Sequence, residues 1–133
     1  MVVELMFDLN ETLQLLLSGN PNKQATASAD LAGAAWNKEI SEDQVMSLLE
    51  HSDDRVRSCL AWAVWDAGRP QCAVVYLREN GCNDPSDIVR SYTLSIWADA
   101  KVPLMGNPAF LKFLEDENPS IRQRARMILE TPR

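Results

Sequence analysis

Asp53-Asp-Arg-Val-Arg57 decides the fold, because the chain repeats it. Asn118-Pro-Ser-Ile-Arg122 matches it, Ser86-Asp-Ile-Val-Arg90 lies between them, and Asn20-Pro-Asn-Lys-Gln24 is a degraded first copy. The closing positions, Gln24, Arg57, Arg90 and Arg122, stand 33, 33 and 32 residues apart. A constant period of this size marks stacked supersecondary units, none of which can bury its apolar face alone.

The repeat extends outward from these anchors. Eight and nine residues before them stand Leu15-Leu16, Leu48-Leu49 and Phe113-Leu114. The matching Tyr76-Leu77 sits five residues further upstream, and Glu79-Asn-Gly-Cys-Asn-Asp-Pro85 absorbs the shift as a longer loop. After each anchor, small or apolar residues recur at helical spacing. They are Ala27, Ser28, Leu31 and Ala32; Leu60, Ala61, Val64 and Trp65; Thr93, Leu94, Trp97 and Ala98; and Ala125 and Leu129. Each unit therefore reads as helix, turn, helix. Ser41-Glu-Asp-Gln44 is a capping-box pattern. Asp53, Ser86 and Asn118 suit N-caps, Pro70 and Pro108 first turns, and Gly19 and Gly81 the positions just past helix ends. The expected helices are 3–18, 22–37, 42–50, 53–67, 70–80, 86–99, 108–116 and 119–130, with 100–107 irregular. No period-2 run proposes a sheet, so the expectation is one all-α domain over 1–133, four hairpins and about eight helices.

This pattern resembles HEAT repeats, including the short HEAT-like type of phycobilin lyases. The fourth unit carries it best, with Asp116, Asn118-Pro119, Ile121-Arg122 and Ala125 where the family favours an acid, Asp/Asn-Pro, Val/Ile-Arg and a small residue. The second unit matches through Asp53, Val56-Arg57 and Leu60, while the first has Lys23-Gln24 in place of Val-Arg. The resemblance implies an α-solenoid with its second helices on the concave side. It also implies that the arginines bond an acid or a loop carbonyl of a neighbouring unit, and that the protein binds other proteins. Neither the Trp/Leu-Gly/Tyr pattern of tetratricopeptide repeats nor the Thr-Pro-Leu-His of ankyrin repeats is present.

Net charge is −6, all of it from the first part of the chain: residues 1–50 carry −6, 51–100 carry −2 and 101–133 carry +2. The acidic half disfavours nucleic acid and attracts a basic protein. Three cysteines with no close pair argue for a reducing, cytoplasmic setting. The opening residues lack the basic start of a signal peptide, and no apolar run is long enough for a membrane span.

Catalytic signals are missing: there is no phosphate loop, nucleophile elbow or Cys-x-x-Cys. His51 is the only histidine and reads as a helix C-terminal residue rather than a metal ligand. No cofactor, metal or enzymatic activity is expected. The informative stripe lies at +2, +5 and +9 from the anchors: Cys59, Trp62 and Asp66, then Tyr92, Ser95 and Asp99. Aromatics rimmed by aspartates suit a protein interface, whereas Trp36, Trp65 and Trp97 read as core. The specific expectation is a small acidic immunity protein that neutralises a basic toxin, a nuclease for example. The alternatives are an adaptor or assembly scaffold, or a lyase-like protein using Cys59, Asp66 or Asp99.

Overall fold

The computed structural model describes residues 7–132, and among them every regular element is helical. The helices are α1 Leu9–Leu16, α2 Pro21–Trp36, α3 Glu42–Leu49, α4 Asp54–Ala67, α5 Gln71–Asn80, α6 Asp87–Asp99, α7 Pro108–Leu111 and α8 Pro119–Glu130. Short 3-10 turns follow α5 (Gly81–Asn83) and α7 (Lys112–Glu115).

Local chemistry explains most boundaries. Ser41 and Gln44 close the capping box at α3, with bonds of 3.1 and 2.8 Å. Asp53, Ser86 and Asn118 cap α4, α6 and α8, and Asn20 does the same for α2. Some expectations need correction. Helix α1 starts at Leu9, and residues 7 and 8, expected in it, lie outside it because Asp8 is extended and accepts the Glu11 N–H at 3.1 Å; the expected start at residue 3 lies outside the described residues. Pro70 is the extended N-cap of α5 rather than a first-turn residue, and the Arg69–Pro70 peptide is cis. The helix expected over 108–116 tightens to 3-10 geometry after Leu111 and ends where Asp116 turns extended. Gly81 keeps a right-handed φ of −63°. It is needed for close approach, since a Cβ there would lie 2.0 Å from Thr93 Oγ1. Left-handed residues follow three helices: Gly19 after α1 at φ 82°, as expected, Lys38 after α2 at φ 60° and Gly68 after α4 at φ 68°.

Hairpin partners pack together: α1 on α2, α3 on α4, α5 on α6, and the second 3-10 turn on α8. The second helices also pack in series, α2 on α4, α4 on α6, α6 on α8, while α3 meets α5 and α5 meets α7. Two cores result. The larger runs from Leu16 through Leu31, Leu60 and Val64 to Leu77, and the smaller gathers Leu94, Trp97, Phe110, Phe113 and Ile121. Of the three tryptophans read as core, only Trp97 is fully buried. Trp36 and Trp65 are partly buried and pack against the larger core.

The turns repeat one device. Six residues before each anchor, a side chain accepts the N–H two residues on. Ser18 accepts from Asn20 at 3.3 Å, His51 Nδ1 from Asp53 at 3.0 Å, Asp84 from Ser86 at 2.9 Å, and Asp116 from Asn118 at 2.8 Å. Each anchor then reaches back to that turn. Arg57 Nη1 donates to the His51 and Ser52 carbonyls (2.8 and 3.1 Å), Arg90 Nη1 to those of Asp84 and Pro85 (2.9 and 3.1 Å), and Arg122 Nη1 to that of Asp116. Two anchors also reach forward through Nε and Nη2. Arg57 grips Asp84 at 2.9 and 3.1 Å, and Arg90 grips Asp116 at 2.9 and 3.2 Å. The Asp84 carboxylate raises the Arg57 pKa above its ordinary value.

Candidate functional site

The face built by α4 and α6 carries the stripe expected to bind a partner, and the structure divides its six residues. Asp66 and Asp99 are exposed, Trp62 and Tyr92 half-buried, and Cys59 and Ser95 buried. For the last two the expectation of an accessible side chain is corrected. Cys59 Sγ sits 3.2 Å from the Ser28 carbonyl inside the larger core, and burial pushes its thiol pKa up. That is the opposite of what a thiolate nucleophile needs. Ser95 Oγ bonds the Ser91 carbonyl at 3.2 Å and accepts from Arg124.

The aromatics are paired across helices. Trp62 meets Trp36 edge-on, 5.1 Å between ring centroids, and Trp36 Nε1 donates to the Ala63 carbonyl at 3.1 Å. Tyr92 lies 5.9 Å from Trp65, whose Nε1 donates to Asp99 Oδ2 at 2.9 Å. Asp99 is thus a structural acceptor as well as a surface acid, whereas Asp66, 33 residues earlier, stands exposed. Aromatic pairs of this kind hold large rigid faces at a surface, as interface anchors require.

Arg124 completes the face and was missed in the sequence. It stands at +2 in the fourth unit, the position of Cys59 and Tyr92, so applying the same offset to α8 would have found it. Its Nη1 donates to the Ser91 carbonyl at 3.2 Å and its Nη2 to Ser95 Oγ, tying α8 to α6.

The turns beside this face form an acidic edge. One groove of about 670 Å³ is lined by Glu50, His51, Asp53, Asp54, Arg57 and Asp84 among others. A second, of about 570 Å³, includes Asp54, Asp87, Arg90 and Glu117, so the two share Asp54. Arg57 and Arg90 are already committed to Asp84 and Asp116, and the remaining carboxylates leave the edge negative. His51 directly follows the C-cap of α3, its N–H bonded to the Leu48 carbonyl at 3.2 Å, and its Nδ1 accepts from the Asp53 N–H. Arg55 lowers the Asp53 pKa to about 2 through a side-chain hydrogen bond. Cys72 is exposed and Cys82 partly buried.

Among the described residues, no group of three or more His, Cys, Asp and Glu is placed to hold a metal ion. Among the same residues, no helix is long and apolar enough to cross a membrane. Comparison with known proteins returns no match, whether to a family model, a curated protein or a solved structure.

Proposed function

We propose that this chain is a HEAT-like helical solenoid that acts by binding a basic protein, without catalysis, and that its specific role is that of a small immunity protein neutralising a basic toxin. The carrying observation is the shared face of α4 and α6, where paired aromatics hold Trp62 and Tyr92 partly exposed beside Asp66. The recurrent turn device supports the solenoid reading, and the acidic edge supports the sign of the partner's charge.

The test is capture of the partner from the native host, followed by surface-binding kinetics at two salt concentrations. Asp66→Lys is the clean charge probe, because changing Asp99 would also release Trp65. Asp66→Lys should slow association, and wild-type binding should weaken as salt screens charges beyond about 8–10 Å. Trp62→Ala should mainly speed dissociation, losing about 2 kcal/mol or more, with circular dichroism confirming the fold. Unchanged kinetics in both variants would move the interface off this face. Salt-independent binding would remove the basic toxin.

A further inference from the structure

Five arginines among the described residues are buried or half-buried: Arg57, Arg78, Arg90, Arg122 and Arg124. Four end on carboxylates, carbonyls or hydroxyls. Arg78, in the last turn of α5, ends on none. Its guanidinium carbon lies 5.8 Å from the centroid of the Trp97 ring, and its buried Nε has no hydrogen-bond partner. The Trp97 indole N–H points away from the guanidinium, donating to the Arg78 carbonyl at 3.2 Å. Arg78 therefore rests on a π-face, with its in-plane donors unsatisfied by protein groups.

It lines a recess of about 270 Å³ between the turn after α4 and the end of α6. Val64, Val74, Ile96 and Trp65 supply apolar wall, and Lys101 and Gln71 stand exposed at the rim. Among the described residues Asp99 is the single acid lining the recess, set against two cations, and it is engaged by Trp65 Nε1. We propose that this recess binds a single carboxylate on a short apolar stem, received by the Arg78 guanidinium and Lys101. Planar carboxylate and guanidinium groups match in shape, and three other arginines here, Arg55, Arg57 and Arg90, hold carboxylates in this manner. The volume is too small for a nucleotide. Asp99 opposes the second charge of a phosphate, and the apolar wall offers nothing to its hydration shell. The carboxylate has two sources, a glutamate side chain of a bound protein or a free short-chain acid.

The experiment is a titration of the intact protein, followed by the indole N–H resonances of Trp65 and Trp97 at constant ionic strength. The probes are N-acetyl-glutamate α-amide, butyrate and inorganic phosphate. Both carboxylates should shift the two indoles saturably, and the tighter one names the source. Arg78→Gln keeps a planar group over Trp97, so it should fold, and it should weaken binding at least ~10-fold. Arg78→Lys should keep part of the affinity, and Asp99→Asn should raise it by removing the opposing charge. No saturable shift with either carboxylate, equal binding by Arg78→Gln, or preference for phosphate would each overturn the proposal. The recess shares Trp65 and Asp99 with the face of α4 and α6, but its probes are small acids, so failure of the partner capture leaves it standing.

Discussion

Ser18 and Asp116 occupy equivalent turns at opposite ends of the repeat, and both accept the N–H two residues on. At the first turn the anchor is Gln24. In the amide orientation that pairs donors with acceptors, its oxygen accepts from the Gly19 N–H at 3.1 Å and from Arg55 at 2.9 Å. The position 27 residues ahead, which receives Arg57 as Asp84, is His51 for Gln24. In the first unit Gln24 and His51 thus stand where the second has an arginine and a carboxylate. The comparison separates two functions of one position. Holding the turn takes any short acceptor, whereas linking one unit to the next takes an arginine and a carboxylate that are sheltered together. The shelter deepens along the chain: the Arg57 and Asp84 side chains are 12% and 13% exposed, those of Arg90 and Asp116 8% and 5%.

Truncating the anchors tests that gradient. Arg90→Met should lose about 3–5 kcal/mol, because it leaves the Asp116 carboxylate buried without its partner. Arg57→Met should lose less, about 2–3 kcal/mol, since Asp84 is better hydrated. Gln24→Met should stay within about 1 kcal/mol. Urea midpoints give the order, and equal losses at all three would break the comparison. The reverse experiment sharpens it: in a double-mutant cycle of Gln24→Arg with His51→Asp, favourable coupling of about 1 kcal/mol would show the first pair to be a restorable link.

The second and third units also differ in their tryptophans. Trp97→Ala should lose about 3–5 kcal/mol, since its ring is 3% exposed and packs on Phe110 at 5.9 Å. Trp65→Ala should lose about 1–3 kcal/mol, the half-buried ring being worth less than a core one. Thermal melts that rank the two in the opposite order would mean that Trp65's bond to Asp99 outweighs burial.

The smallest effect concerns a pair closed within its own turn. Asp53 is held by Arg55 and its pKa falls from 3.8 to about 2. A depressed carboxylate contributes stability that is complete above its unfolded value and is lost as pH falls through the folded one. Acid titration should therefore erode stability between about pH 4 and pH 2, and Asp53→Asn should flatten part of that slope. The effect is small because the pair is solvent-exposed. An unchanged slope would remove Asp53 from the acid response.

The helices were legible because the anchors, caps and apolar spacing all point the same way. The expected start and end of α8 coincide with Pro119–Glu130, and most other ends fall within a residue or two. What the sequence concealed was the direction of side chains lying between core and surface. The offsets +2 and +5 sit at the edge of the apolar stripe, where a small residue sinks and a ring stays half out, so Cys59 and Ser95 are buried while Trp62 and Tyr92 are not. Trp65 packs against the larger core, as its spacing implied, but the bond of its indole to Asp99 was not legible. Nothing in the sequence places Arg78 over Trp97, which requires two helices to be packed first.

The forward reach of the arginines gives the molecule a direction of dependence. Each link is begun in one unit and completed in the next, so the later unit supplies the anion its predecessor needs. Shortening the chain from its far end would strip Asp116 and strand Arg90, while shortening it from the near end would cost Arg69 its bond to the Trp36 carbonyl but break no arginine–carboxylate pair. The seam at Gln24 and His51 is therefore held without an arginine–carboxylate link, and its loss would leave both later links whole.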